Sequence, residues 1–236
     1  MGVTALEDPE GLHGDFRYTF WSSEGRELET VVLDEHRIGI PNEQGASILL
    51  LGASEAAAYR NDGTFLWTAA GRFRNGTLAR AGEVALLNPV DAIDEVHIVR
   101  SGHEEQVLTM AESVYDIAIT PDGSLGAVAT GAGRIHVIDL RSCPGKDCRP
   151  RRLLPLPVLS THYVTSLRFV SEHSLALGVI QAAGVEPYRS FYGAIVLVIG
   201  TTRGELQFRN SIKLPEPTTW SPMLDVTFGK IGRAHV

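Results

Sequence analysis

Apolar and polar residues alternate over short runs along the chain, and no helical period lasts longer than two turns. The clearest unit begins at Val114. Val114–Ile119 reads as a strand, and Thr120-Pro121-Asp122-Gly123 as a turn in which Pro sets φ and Gly supplies a positive φ. Leu125–Thr130 is a second, buried strand, Gly131-Ala132-Gly133 turns the chain, and Arg134–Leu140 is a third. Arg152–Leu156 follows as a fourth, irregular edge strand. The same pattern predicts strands at Ser47–Ser54, Ala56–Arg60 and Thr64–Thr68, the last two joined by the hairpin signal Asn61-Asp62-Gly63. It predicts others at Glu83–Asn88, Glu95–Arg100 and Glu105–Thr109, with Ser101-Gly102 as the turn. A further set is Val164–Val170, Leu175–Gln181, Ala194–Ile199 and Glu205–Arg209. Phe16–Trp21 and Arg26–Thr30 flank Ser23-Glu24-Gly25 near the start.

The turns recur. Gly25, Gly63 and Gly102 are 38 and 39 residues apart, and Gly204 lies 102 residues beyond Gly102, two periods enlarged by insertions around 141–152 and 182–192. The opening strand also repeats: Tyr115-Asp116-Ile117-Ala118-Ile119, Thr165-Ser166-Leu167-Arg168-Phe169 and Leu224-Asp225-Val226-Thr227-Phe228 each place apolar side chains on one face. A period near about 40 residues built from four short antiparallel strands is the signature of a β-propeller blade. The predicted fold is therefore all-β: a propeller fragment of about four nearly complete blades (32–72, 73–110, 111–160, 161–217) with partial blades at both ends. A β-sandwich with similar turn spacing is the alternative. A parallel solenoid fits less well, because two-residue hairpin turns require antiparallel neighbours.

Two repeat types match these residues. Val114-Tyr115-Asp116-Ile117-Ala118-Ile119-Thr120-Pro121-Asp122-Gly123-Ser124 with Ile135-His136-Val137-Ile138-Asp139 resembles a WD40/YVTN-like blade. Ile48–Ala53 followed by Tyr59-Arg60-Asn61-Asp62-Gly63-Thr64-Phe65-Leu66-Trp67 resembles the PQQ-like, quinoprotein-type repeat, and Trp21–Leu28 resembles the same hairpin. The resemblance covers most of 16–230 and implies architecture rather than activity. The chain has no Trp-Asp dipeptide and no vicinal cysteine pair, so no quinone cofactor is carried over from it.

Composition narrows the class. Hydrophobic residues make up 44% and charged residues 21%, ordinary values for a globular chain. Lys+Arg 21 against Asp+Glu 28 gives −7, which argues against a nucleic-acid partner held by bulk charge. No apolar run approaches the roughly 18 residues of a membrane span. Met1–Gly14 carries acids and no hydrophobic stretch, so no signal peptide is expected as written. Ile231-Gly232-Arg233-Ala234-His235-Val236 resembles the in-frame translation of a common sequencing-library adapter, directly after the third opening strand stops at Lys230; the alternative is a natural end. On the first reading, 1–15 is a lead segment, 16–230 an incomplete propeller and 231–236 a non-native tail. Cys143-Pro144-Gly145-Lys146-Asp147-Cys148 fits a local disulfide between Cys143 and Cys148, two free thiols or, least well, half a metal site. A disulfide would favour the periplasm or cell envelope over the cytoplasm.

Nothing in the sequence assigns a catalytic, cofactor-binding or metal-binding residue. The histidines are scattered, with His97 and His136 on strands as hydrogen-bonded structural groups and His162 at a blade entry. Asp91, Asp94, Glu95, Glu104 and Glu105 read as solvated edges. Gly131-Ala132-Gly133 lacks the following helix that a phosphate loop needs. Asn75-Gly76-Thr77 fits a glycosylation sequon. Two insertions are candidate partner-binding loops. The first, 141–152, carries Arg141, Lys146, Arg149, Arg151 and Arg152 against Asp147, a local +4; the alternative is a solvated Pro-rich loop. The second, 182–192, carries Tyr188, Arg189, Phe191 and Tyr192, residue types enriched at binding hot spots; the alternative is packing beneath their own loop. The expected function is a non-enzymatic protein-interaction or scaffold propeller, in a bacterial cell envelope, with protein partners held by blade loops and no cofactor. The alternative is a fragment of a quinoprotein-like oxidoreductase whose cofactor site lies in absent blades.

Overall fold

The protein is described from a computed structural model, which defines residues 2–7, 16–42, 45–131, 133–142, 152–155, 162–183, 190–218, 227–228 and 234–235. Among the described residues the elements are β-strands, apart from a 3-10 turn at Leu140–Ser142. The chain divides into two compact units. Of the described residues, the first holds those up to Thr109 together with the turn Pro121–Gly123, and the second holds the others.

In the first unit, β1 (Gly2–Glu7), β2 (Phe16–Trp21) and β3 (Glu27–Leu33) form a three-stranded antiparallel sheet I. Sheet II follows with β4 (Ile38–Pro41), β5 (Ser47–Leu51), β6 (Glu55–Arg60) and β7 (Phe65–Ala70) in sequence order. Sheet III holds β8 (Phe73–Leu78), β9 (Val84–Pro89), β10 (Glu95–Arg100) and β11 (His103–Thr109). β5 explains why its sequence is continuously apolar rather than alternating. Ile48 and Leu50, with Ala57 and Tyr59, pack on Tyr18 and Phe20 of sheet I. Leu49 and Leu51, with Ala58 and Trp67, pack on Leu78, Ala85, Leu87 and Val99 of sheet III. A strand covered on both faces has no place for polar side chains. The Ala56-Ala57-Ala58 run beside it is fully buried, its small side chains admitting the neighbouring sheets.

In the second unit, sheet IV contains β12 (Val114–Ile119), β13 (Leu125–Thr130), β14 (Arg134–Asp139) and β15 (Arg152–Pro155). Sheet V contains β16 (His162–Ser171), β17 (Ser174–Ala183), β18 (Ser190–Gly200) and β19 (Leu206–Thr218). Ala127, Ala129, Ile135 and Val137 of sheet IV share a core with Leu167, Phe169, Leu177, Ile195 and Leu197 of sheet V. β20 (Thr227–Phe228) and β21 (Ala234–His235) pair with each other.

Several strands depart from the alternation pattern. β1 lies inside the expected lead segment. β4 and β8 carry no regular alternation: β4 has only four residues with Gly39 and Pro41 among them, and β8 is Phe-Arg-Asn-Gly-Thr-Leu with a register shift between Phe73 and Asn75. The insertion at 182–192 is shortened by pairing, since β17 and β18 continue past a bulge at Gln181/Ala182 to join Ala183 with Ser190.

Candidate interaction site

In an antiparallel sheet laid down in sequence order, the first-to-second and third-to-fourth connections fall at the same end. In the first unit these turns are tied to one another. Asn42 accepts the Ala46 N–H on its side-chain oxygen (2.8 Å) and donates its amide to the carbonyls of Ala79 (3.5 Å) and Arg80 (3.3 Å). Ser47 Oγ is 3.3 Å from both carbonyls. Arg80 donates its backbone N–H to Pro121 O (2.8 Å), and Asn61 donates to Ala46 O (3.0 Å). The Trp67 indole N–H reaches Gly82 O at 2.6 Å, so this Trp within β7 pins sheet II to the next sheet's turn.

Between these turns lies a cleft of about 470 Å³ lined by Arg60, Asn61, Arg80, Glu83, Pro121 and Asp122, with Ala46 and Ala81. Arg60, Arg80 and Asp122 are exposed and Glu83 is half-buried. Glu83 Oε2 is itself buried and accepts no hydrogen bond from a described residue. Beside Arg60, the Asp62 carboxylate accepts the Thr64 N–H at 2.9 Å, and hydrogen bonding to Thr64 holds its carboxyl below the usual range.

The opposite ends of sheets I and II meet in a buried ionic network. Arg37, 6% exposed, pairs with Glu55 (2.7 Å) and Glu35 (3.3 Å), and its backbone N–H and C=O both bond the Tyr18 hydroxyl. Glu35 also accepts the Ala53 N–H at 3.0 Å. A Cβ on Gly52 would lie 2.0 Å from Glu35 Oε1, so a side chain there would displace the Glu35 carboxylate that faces Arg37. Burial pushes the neighbouring Tyr59 hydroxyl above its ordinary pKa. Arg37 Nε and Nη1 and Glu35 Oε1 are buried without a hydrogen-bond partner among the described residues, so ion pairing with the two carboxylates, together with the Tyr18 hydroxyl, holds the connection into β4.

In the second unit, Asp116 is 8% exposed, and its carboxylate accepts the Leu167 N–H (2.7 Å) and faces Arg168 (3.5 Å), tying β12 to β16. A smaller cleft of about 230 Å³ is lined by Asp139, Arg141, Glu172, His173, Thr201 and Thr202, with Leu125 and Val137. Arg141 and Asp139 face each other, as do His173 and Glu172. His136 is half-buried on β14, and burial, with Arg134 beside it, lowers its pKa against the smaller pull of Glu112.

The residues singled out from the sequence are spread apart. Arg152 opens β15, in the register before Leu153, opposite Val137 at the third-to-fourth strand end of sheet IV. Phe191 and Tyr192 lie in β18, with Phe191 opposite Ala182 and Thr218 at the second-to-third strand end of sheet V. Arg149, Arg151, Tyr188, Arg189, Cys143 and Cys148 lie outside the described residues. His97 is more closely engaged than its strand position implied: Glu104 and Glu95 face its two ring nitrogens, and Phe73 meets its ring edge-on. His162 starts β16 opposite Gln181. Asn75 sits half-buried within β8, and Gly133 closes the β13–β14 hairpin on Thr130 O. Arg60, Arg80 and Glu83 carried no sequence signal of their own, because only the stacking of turns from successive repeats brings them together.

Four-stranded antiparallel sheets repeated along the chain in sequence order define the class: an all-β propeller fold. Solved propellers superpose on it. They include the Cps50 (Swd1) β-propeller domain of Myceliophteria thermophila, at 12% identity over 84% of this chain and 62% of that one, with a TM-score of 0.60. Saccharomyces cerevisiae Sqt1 matches at 15% identity over 84% of this chain and 55% of its own, with a TM-score of 0.52. KlAtg21, solved in complex with the coiled coil of AgAtg16, matches at 12% identity over 89% and 82%, with a TM-score of 0.54. The chain thus spans less than two thirds of the first two structures. No protein-family model and no curated protein matches the sequence.

Proposed function

We propose that the chain is a protein-interaction module that engages its partner through the turn face of the first unit. The observation that carries this reading is the cleft beside Arg60 and Arg80, built on turns that are hydrogen-bonded to one another. A surface organised before binding loses little conformational entropy on association, and Arg is among the residue types enriched at interface hot spots. The similar fold of KlAtg21, which is bound to a coiled coil in its solved complex, supports the same reading.

The test is to recover partners on the immobilised chain, purify each one and titrate it by calorimetry. One-to-one binding that weakens at least roughly tenfold in the Arg60→Ala/Arg80→Ala double variant is expected, since a charge-assisted hydrogen bond contributes about 1.5–3 kcal/mol. Both side chains are exposed, so the melting temperature should stay unchanged. Binding indifferent to both substitutions would remove the turn face from the interaction. Failure of every purified partner to bind would remove the function.

A further inference from the structure

We infer that the cleft takes an acidic side chain from an extended peptide segment of the partner, with its carboxylate on Arg60 and Arg80 and an adjacent backbone N–H on Glu83. This inference rests on the interaction reading and specifies its ligand chemistry.

Three observations converge. Neither the Arg60 nor the Arg80 guanidinium has a hydrogen bond or ion pair with a described side chain, although both line one cleft. Guanidinium groups present N–H donors in a planar fork whose geometry matches a carboxylate. Glu83, on the same wall, holds a buried carboxylate oxygen without a donor. A buried acceptor left unpaired is costly, and a turn of the half-buried Glu83 carboxylate toward the cleft would let a ligand N–H satisfy it. The charges then select among ligands. Arg60 and Arg80 against Glu83 and Asp122 sum to zero around the cleft, inside a chain of −7. With Asp62 also beside Arg60, the repulsion grows with each charge on a polyphosphate, whereas a peptide segment brings one carboxylate for the two Arg and N–H donors for Glu83. The cleft volume of about 470 Å³ lies within the range that encloses small ligands, so it suits a short segment rather than a folded domain.

The experiment records amide chemical shifts of the full, isotope-labelled chain during titration with the blocked peptide acetyl-Gly-Ser-Glu-Ser-Gly-amide. Its Gln and Lys counterparts, sodium acetate and a single-stranded oligonucleotide are run in parallel. The Glu peptide is expected to move the amides of Asn61, Arg80 and Ala81. The Gln peptide should bind roughly tenfold more weakly, and acetate alone should leave those signals in place, because it brings no N–H. Arg80→Ala should abolish the shifts with an unchanged spectrum elsewhere, and Glu83→Gln should weaken binding while Arg60 and Arg80 remain. Equal response to Glu, Gln and Lys peptides, or shifts confined to residues outside the cleft, would overturn the assignment. So would tighter binding of the oligonucleotide. A purified partner that still binds through Arg60 and Arg80 in that case leaves the interaction reading standing and refutes only the peptide chemistry.

Discussion

Trp67 shows how one side chain sets the spacing between neighbouring sheets. Its indole ring fills the core between sheets II and III, and its N–H is the donor to the buried Gly82 carbonyl. Trp67→Phe keeps most of the apolar contact but leaves that carbonyl unpaired. A loss of about 1–3 kcal/mol is expected, read as a lower urea midpoint with an unchanged slope. His136 makes a prediction of a different kind. Burial disfavours its charged form, so its folded pKa lies below the ordinary 6.5. Its contribution to stability is therefore fully present above pH 6.5 and is lost as the pH falls through the folded value. Urea midpoints measured from neutral to mildly acid pH should decline less steeply in His136→Gln than in the parent chain.

At the scale of elements, legibility followed the physics of burial. Strands that turn one face to a core, or are buried on both, had a pattern to read; β5, β13 and β18 are examples. β8 had none, because Arg74, Asn75 and Gly76 interrupt it and Gly76 is small where Leu49 and Leu87 crowd it. Hairpins were readable from turn chemistry. Ser101 and Gly102 have φ of 50° and 82°, both left-handed, as a type I′ turn requires. A Cβ on Gly102 would also lie 2.7 Å from the Thr68 carbonyl oxygen. Gly102→Ala is thus expected to cost more than about 1 kcal/mol, measured by thermal denaturation, whereas Ser101→Gly should be tolerated. The alternation within β5 yields a directional prediction. Leu50→Ala should speed amide exchange first in β2 and β3, and Leu49→Ala first in β8 and β9, each at about 2–5 kcal/mol. Identical exchange patterns in the two variants would contradict the two-sided packing of sheet II.

For the whole molecule, the spacing of Gly25, Gly63 and Gly102 carried the architecture, since repeated sheets impose repeated turns. The same periodicity hid the cleft, whose charged groups sit on different turns and are unremarkable one at a time. Arg80 combines both roles. Its carbonyl receives Asn42 and Ser47, its N–H goes to Pro121, and its side chain stands in the cleft. The residue offered to a ligand is therefore also the seam through which consecutive turns lean on each other. Occupancy adds its free energy to that seam, as RT ln(1 + [L]/Kd) for a ligand that ignores the unfolded chain. Heat resistance then becomes a gauge of how fully the protein is loaded, and a chain loosened at Asn42 would forfeit affinity without losing any group that touches the guest.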